Sequence, residues 1–285
     1  MKRAEGMPKN DVEAVKWLRQ AAEQGDAKAQ FNLGVRYACG QGVAQDDAEA
    51  AQWYRKAAQQ GHARAQFNLG QMYDFGEGVP KDDAKAKAVK WFRKAAQQGH
   101  PEAQFNLGRM YDLGEGVPKD DTEAVKWYQK AAQQGHPEAQ FNLGRMYDFG
   151  EGVPKNDAEA VKWYRKAAHQ GNASAQFKLG VWYYCGRDDM PKDDAKAKAA
   201  QWYRKAAEQG HPEAQFFLGA MYSQDVGVPQ NDVEGYAWYL LSKARGFEYA
   251  EMLVESLEKR LTPKQRTAGQ ARAAALDKQI PRLQA

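Results

Sequence analysis

Tryptophan recurs at Trp17, Trp53, Trp91, Trp127, Trp163, Trp202 and Trp238, at spacings of 36, 38, 36, 36, 39 and 36 residues. A single compact core gives no reason to place the largest side chain so evenly. A period of this length marks a repeat architecture, in which each unit is one supersecondary element that buries its apolar face only against its neighbours. The pair Leu-Gly recurs in step, at Leu33, Leu69, Leu107, Leu143, Leu179 and Leu218. Residues 100–135 and 136–171 differ at only 5 of 36 positions, so the units are near copies of one design.

One unit, 100–135, contains signals for two helices. The first starts at an N-cap occupied by His100 (Asp26 and Asn172 elsewhere), with Pro101, Pro137 or Pro212 at the first helical position, where the missing N–H costs nothing. Ala103, Leu107 and Tyr111, four apart, predict one buried stripe. Gly108 beside it costs helix propensity, about 1 kcal/mol against alanine, and is read as letting a neighbouring helix approach closely. Gly114-Glu-Gly-Val-Pro118 breaks the helix. The second helix is expected to open at Asp120, with Glu123 at capping-box spacing, to bury Ala124, Trp127, Tyr128, Ala131 and Ala132, and to end at Gly135. An extra Ala-Lys before two of the second helices, in 81–89 and 192–200, adds roughly half a turn, about 3 Å. The expected fold is therefore all-α: a right-handed α-solenoid of helix-turn-helix repeats of about 36 residues. The repeats fall at 26–61, 62–99, 100–135, 136–171, 172–210 and 211–246. An incomplete repeat at 1–25 precedes them, and capping helices and a tail at 247–285 follow.

Composition excludes several classes. The formal charge is +4, from 41 Lys and Arg against 37 Asp and Glu, mixed along the chain. Such balance gives no nucleic-acid footprint and no basic membrane anchor. No apolar run is long enough to span a bilayer, so no membrane insertion is expected. The beginning, MKRAEGMPKND, has no apolar core of a signal peptide as written, which makes the cytoplasm the default. Two cysteines make no disulfide scaffold.

The motifs AxAQFxLGxxY, GxGVPxD and AxxWYxKAAxQG, recurring in this order over about residues 1–246, resemble the Sel-one-like repeat (SLR) family, a branch of the tetratricopeptide-like solenoids. Gly235-Tyr-Ala-Trp-Tyr-Leu-Leu and Leu261-Thr-Pro-Lys-Gln265 resemble the closing helices of bacterial members, with Thr262 placed to cap the last helix. The resemblance implies an adaptor or scaffold in multiprotein assemblies, frequently bacterial and often at or beyond the cell envelope. Some members carry two cysteines per repeat in a local bridge; this chain departs from that.

Candidate chemistry is sparse, and neither catalytic residues, nor a metal site, nor a cofactor is expected. His62, His100, His136 and His211 occupy one slot in successive repeats, too dispersed for a shared metal. Cys39 and Cys185 stand where other repeats have Phe75, Leu113 or Phe149, and are read as small apolar substitutes. Ser256-Leu-Glu-Lys259 matches the S-x-x-K of penicillin-interacting enzymes, but neither K-T-G nor S-D-N accompanies it. Gly-Glu-Gly follows a helix, not a strand, and is a turn rather than a phosphate loop. An RNA-binding repeat would need a basic groove and base-reading pairs that differ between repeats.

The leading function is a scaffold for a protein or peptide partner, with a β-lactam-interacting enzyme and an RNA-binding repeat as alternatives. Opposite Leu107 on the first helix lie Glu102, Phe105, Arg109 and Asp112, the face expected to line a concave groove. Along the chain this face reads Val35, Gln71, Arg109, Arg145, Val181, Ala220, and one turn on Ala38, Asp74, Asp112, Asp148, Tyr184, Ser223. It is polar in the middle and more apolar towards the ends. The candidate partner-binding residues are Gln71, Asp74, Phe105, Asn106, Arg109, Asp112, Phe141, Asn142, Arg145 and Asp148. Alternatively, Arg109–Asp112 and Arg145–Asp148 are exposed i,i+3 pairs and the phenylalanines pack between helices. Six helices 8–10 Å apart make a groove of roughly 50 Å, enough for around 15 extended residues.

Residues 5–17, EGMPKNDVEAVKW, align with 151–163, EGVPKNDAEAVKW, yet no first helix precedes them. The expectation is that an upstream helix, with or without a secretion signal, is missing, which would place the protein in the periplasm or outside the cell. Otherwise another chain covers the face, by self-association through the incomplete repeat. Either way Trp17 should be solvent-exposed, unlike Trp127.

Overall fold

The computed structural model describes residues 9–187 and 190–280, and among these the regular structure is helical throughout, with no strand. The chain divides into two compact bodies: the first comprises residues up to 139 together with 149–155, and the second comprises 140–148 and 156 onward.

In the first body, α1 (Lys9–Glu23), α3 (Asp47–Gln59), α5 (Ala84–Gln97) and α7 (Asp121–Gln133) are the tryptophan-bearing second helices. They alternate with the Leu-Gly first helices α2 (Ala27–Cys39), α4 (Ala63–Phe75) and α6 (Pro101–Leu113), each packed on its sequence neighbours. The next first helix, α8 (Pro137–Phe149), is shared between the bodies. The second body contains α9 (Asp157–His169), α10 (Ala173–Tyr184), α11 (Lys192–Ala207), α12 (Pro212–Gln224) and α13 (Asp232–Ala244), closed by α14 (Tyr249–Arg260) and α15 (Pro263–Gln279). The first eight residues of the incomplete repeat and the last five of the tail lie outside the described residues.

The caps follow the sequence. The His100 ring nitrogen Nδ1 accepts from the Ala103 backbone N–H, and Asp120 accepts from that of Glu123, leaving the helix to begin at Asp121. The Asp120 N–H goes to the Tyr111 carbonyl, so the expected reciprocal box is only half made there. Thr262 and Gln265 form the complete box. Gln134 is the C-cap of α7, and Gly135 follows it at φ +93°. The inserted Ala-Lys is absorbed unevenly: α5 has 14 residues and α11 has 16, against 13 in α3 and α7.

The buried stripe of the first helix is wider than apolar spacing suggested. Ala103 and Leu107 are buried as expected, but so are Met110 and Gln104, while Tyr111 is only half-buried. The Tyr111 ring instead lies at the surface, its hydroxyl accepting from Arg93 at 2.6 Å; Arg55 makes the same bond to Tyr73. Gly108 fulfils its expected role: a Cβ there would sit 2.8 Å from the Tyr128 ring, so only glycine admits this approach. Among the second helices Trp17 stands out, 68% exposed as expected, where Trp127 is 9% exposed.

Candidate functional site

The candidate residues lie on the face of each first helix turned away from the Leu-Gly stripe, and neighbouring helices cover part of it. In the first body, Gln71, Phe105, Asn106 and Arg109 are half-buried. Asp74 lies deeper, its side chain 4% exposed. Arg109 reaches back one repeat to Asp74 at 2.6 Å and down to Glu115 of its own loop at 3.1 Å. The ammonium of Lys85 joins both carboxylates, and the bond to Asp74 raises its pKa above the ordinary lysine value.

This corrects the expectation of an i,i+3 pair between Arg109 and Asp112. The carboxylate of Asp112 accepts instead from the Tyr128 hydroxyl at 3.1 Å. A face of nearly copied repeats offers Arg109 an acid one repeat away as readily as one turn away. The buried acid wins because an unpaired charge there is costly.

Phe105 is held between repeats, stacked on His136 at 4.6 Å and tilted against Tyr128 at 5.9 Å. In the second body, Phe141 packs on Tyr164 at 5.8 Å and Asp148 accepts from its hydroxyl at 3.2 Å. Asn142 and Arg145 are half-buried, and an Arg145 guanidinium nitrogen lies 3.5 Å from the Met146 sulfur. On this face of each body the carboxylates are held by neighbours, Asp74 by Arg109 and Lys85, Asp112 by Tyr128 and Asp148 by Tyr164, with phenylalanines packed between helices. Among the described residues, no cluster of His, Cys, Asp and Glu has the proximity to hold a metal. Ser256 and Lys259 lie exposed on α14.

One feature escaped the sequence reading. The slot shared by Cys39, Phe75, Leu113 and Phe149 ends each first helix and points to solvent: the three large side chains are 70%, 59% and 60% exposed, and Cys39 is exposed with them. The cysteines are thus surface residues, in a slot whose apolar occupants are themselves exposed. The signal was available, because a residue immediately before the helix-ending glycine lies off the stripe set by Leu107.

The repeat geometry has known counterparts. The profile described as Sel1 repeat matches residues 3–26, 27–62, 63–100, 101–136, 137–172, 173–211 and 212–247. Among solved structures, a protective antigen of uropathogenic Escherichia coli displaying an SLR fold is 38% identical, with a TM-score of 0.80 over 92% of this chain and 56% of that one. This chain thus spans little more than half of that relative. A Sel1 repeat protein from Oxalobacter formigenes is 33% identical, with a TM-score of 0.66 over 82% of this chain and 97% of that one. A search of curated protein sequences finds no significant match.

Proposed function

The chain belongs to the Sel1 repeat family, and on that premise we propose that it is an interaction scaffold that holds a partner protein or peptide on the free face of its first helices. Proteins of this family generally serve as scaffolds for protein interactions. One observation supports that face in particular. The buried positions of the first helices repeat almost unchanged, with Ala103, Leu107 and Gly108 matched by Ala65, Leu69 and Gly70. The free-face positions do not: Gln71 and Arg109 occupy one slot, and Val181 and Ala220 the same slot in the second body. Packing fixes the first set and leaves the second open to be shaped by what binds. No helix among the described residues is long and apolar enough to cross a membrane.

The test is a selection of peptides from a random displayed library against the intact chain, followed by hydrogen exchange of the selected complexes. Protection of side-chain-bearing segments around 102–112 and 138–148, or their counterparts in other first helices, is the expected result. A footprint on the outer faces of α3, α5 and α7, or on α14 and α15, would overturn it.

A further inference from the structure

In the second body the repeat pattern breaks at several coupled positions at once. The ring of Tyr203 on α11 occupies the place held elsewhere by Tyr54, Tyr128, Tyr164 and Tyr239. Each of those hydroxyls has a partner: Asn68 for Tyr54, Asp112 for Tyr128, Asp148 for Tyr164 and Ser223 for Tyr239. The Tyr203 hydroxyl, on a fully buried residue, has none among the described residues. Both ordinary sources of a partner have been replaced. Tyr184 stands where Asp112 and Asp148 do, and Phe217 stands where Asn68 does. The arginine of the free face is gone too, with Val181 in the slot of Arg109.

The replacements form one aromatic surface. Phe217 stacks on Tyr203 with centroids 5.5 Å apart, Phe177 lies 5.8 Å from both, and Tyr184 lies 6.4 Å from Tyr203. Phe177, Val181, Tyr184 and Phe217 all remain half-buried, so their free sides form an apolar face on α10 and α12. A buried hydroxyl without an acceptor is a cost that near-copies of this repeat avoid with a single aspartate. Packing therefore does not explain the substitutions.

We propose that this face is an aromatic subsite of the scaffold, taking one large uncharged apolar side chain of an extended partner peptide. The inference rests on the reading of the first-helix face as the partner surface, and it names the chemistry of one position on it. Charge selects the neutral occupant. Val181 and Tyr184 replace the Arg109 and Asp112 of the equivalent face, so a charged side chain finds no partner on it. The ammonium of Lys196 is already engaged, 3.4 Å over the Tyr184 ring and bonded to the Tyr184 carbonyl oxygen.

The experiment uses peptides selected from the random displayed library, titrated against the intact chain and three variants. Val181→Arg and Tyr184→Asp install residues that the equivalent slots already carry, so the helix pairs tolerate them. Selected peptides should share a large apolar residue and should lose about tenfold or more in affinity to either variant. Tyr184→Asp should also raise the melting temperature by giving the Tyr203 hydroxyl its aspartate, a split that general damage to the fold does not produce. Tyr203→Phe, which removes only the buried hydroxyl, should keep the affinity of the parent chain while remaining folded. Peptides that footprint on first helices yet bind Val181→Arg and Tyr184→Asp as tightly as the parent chain would overturn the subsite and leave the scaffold reading intact. A footprint away from every first helix would overturn both.

Discussion

The side-chain amide of Gln134 donates to the side-chain oxygen of Gln104, thirty residues earlier, at 2.7 Å, and Gln104 in turn donates to the backbone carbonyl of Ala96 at 3.1 Å. The same hand-over links Gln98 to Gln66 and Gln66 to Ala58, and in the second body Gln209 to Gln176 and Gln176 to Ala168. Gln104 is 4% exposed. Gln104→Leu should therefore cost about 1–3 kcal/mol, because it strips bonds from buried groups that water cannot reach. Gln134→Leu, at an exposed position, should cost less than half as much. Urea unfolding of the two variants checks the order; equal losses would mean that the ladder carries no particular stability.

Arg109 and Asp74 set a second expectation. Arg109→Glu places a carboxylate beside one that is 4% exposed. It should lower stability by about 1–3 kcal/mol, whereas Arg145→Glu answers to its own surroundings. Arg109→Gln keeps a donor and should lose less. Thermal melts of the two Arg109 variants separate charge from shape, and a neutral effect of Arg109→Glu would show that Asp74 is held by Lys85 alone.

The histidine caps predict a pH dependence. Nδ1 of His62, His100, His136 and His211 accepts a backbone N–H, and only the unprotonated nitrogen can do so. Burial lowers all four pKa values, aided at His62 by Arg64 and opposed at His100 by Glu102, whose carboxylate lies 3.1 Å from the same nitrogen. The cap and the ion pair need opposite protonation states, and the lowered pKa favours the cap. A base whose pKa is lowered by folding stabilises the fold above its unfolded value, about 6.5, and loses that contribution as pH falls through the folded value. The melting temperature should drop between pH 7.5 and 5. Replacing the four histidines by Asn, the residue at position 172 in this same slot, should flatten the slope. A slope unchanged by the replacements would assign it to carboxylates.

Two tryptophans in equivalent slots separate a buried position from an exposed one. Trp127→Ala and Leu107→Ala remove buried side chains and should cost about 2–5 kcal/mol. Trp17→Ala, at 68% exposure, should change stability by less than about 0.5 kcal/mol. Hydrogen exchange on Leu107→Ala should show protection lost around α6 and kept in distant helices, as expected where each repeat answers only to its neighbours. Uniform loss would mean one indivisible cooperative core.

Much of this was legible because repetition multiplies each signal. Pro101 and Gly135 mark helix ends, Leu107 and Trp127 mark buried faces, and Gly108 marks the close approach to Tyr128; each has copies that agree. The misses share a different cause. Tyr111 is misplaced and Gln104 passed over because apolar spacing sorts residues by hydrophobicity, whereas a buried glutamine is stabilised by its partners, Gln134 and the Ala96 carbonyl. Arg109 was given the partner nearest in sequence, and the partner that matters belongs to the preceding repeat. The orphaned Tyr203 hydroxyl could be read only after Tyr128 and Tyr164 had shown where their hydroxyls go.

The glutamine hand-over also bears on inheritance. Residues 100–135 and 136–171 are nearly the same text, and wherever the coding tracts are equally alike they are prone to misalign when DNA is copied or recombined. A crossover between them removes 36 residues and joins Gly99 to His136, a Gly-His step the chain already contains at Gly99–His100. The amide of Gln98 would then meet the same waiting side chain, and the following helix would find the same cap and the same stripe. The number of repeats can thus rise or fall by whole steps without a faulty seam, so selection can adjust how many positions are presented to a partner separately from what each position recognises.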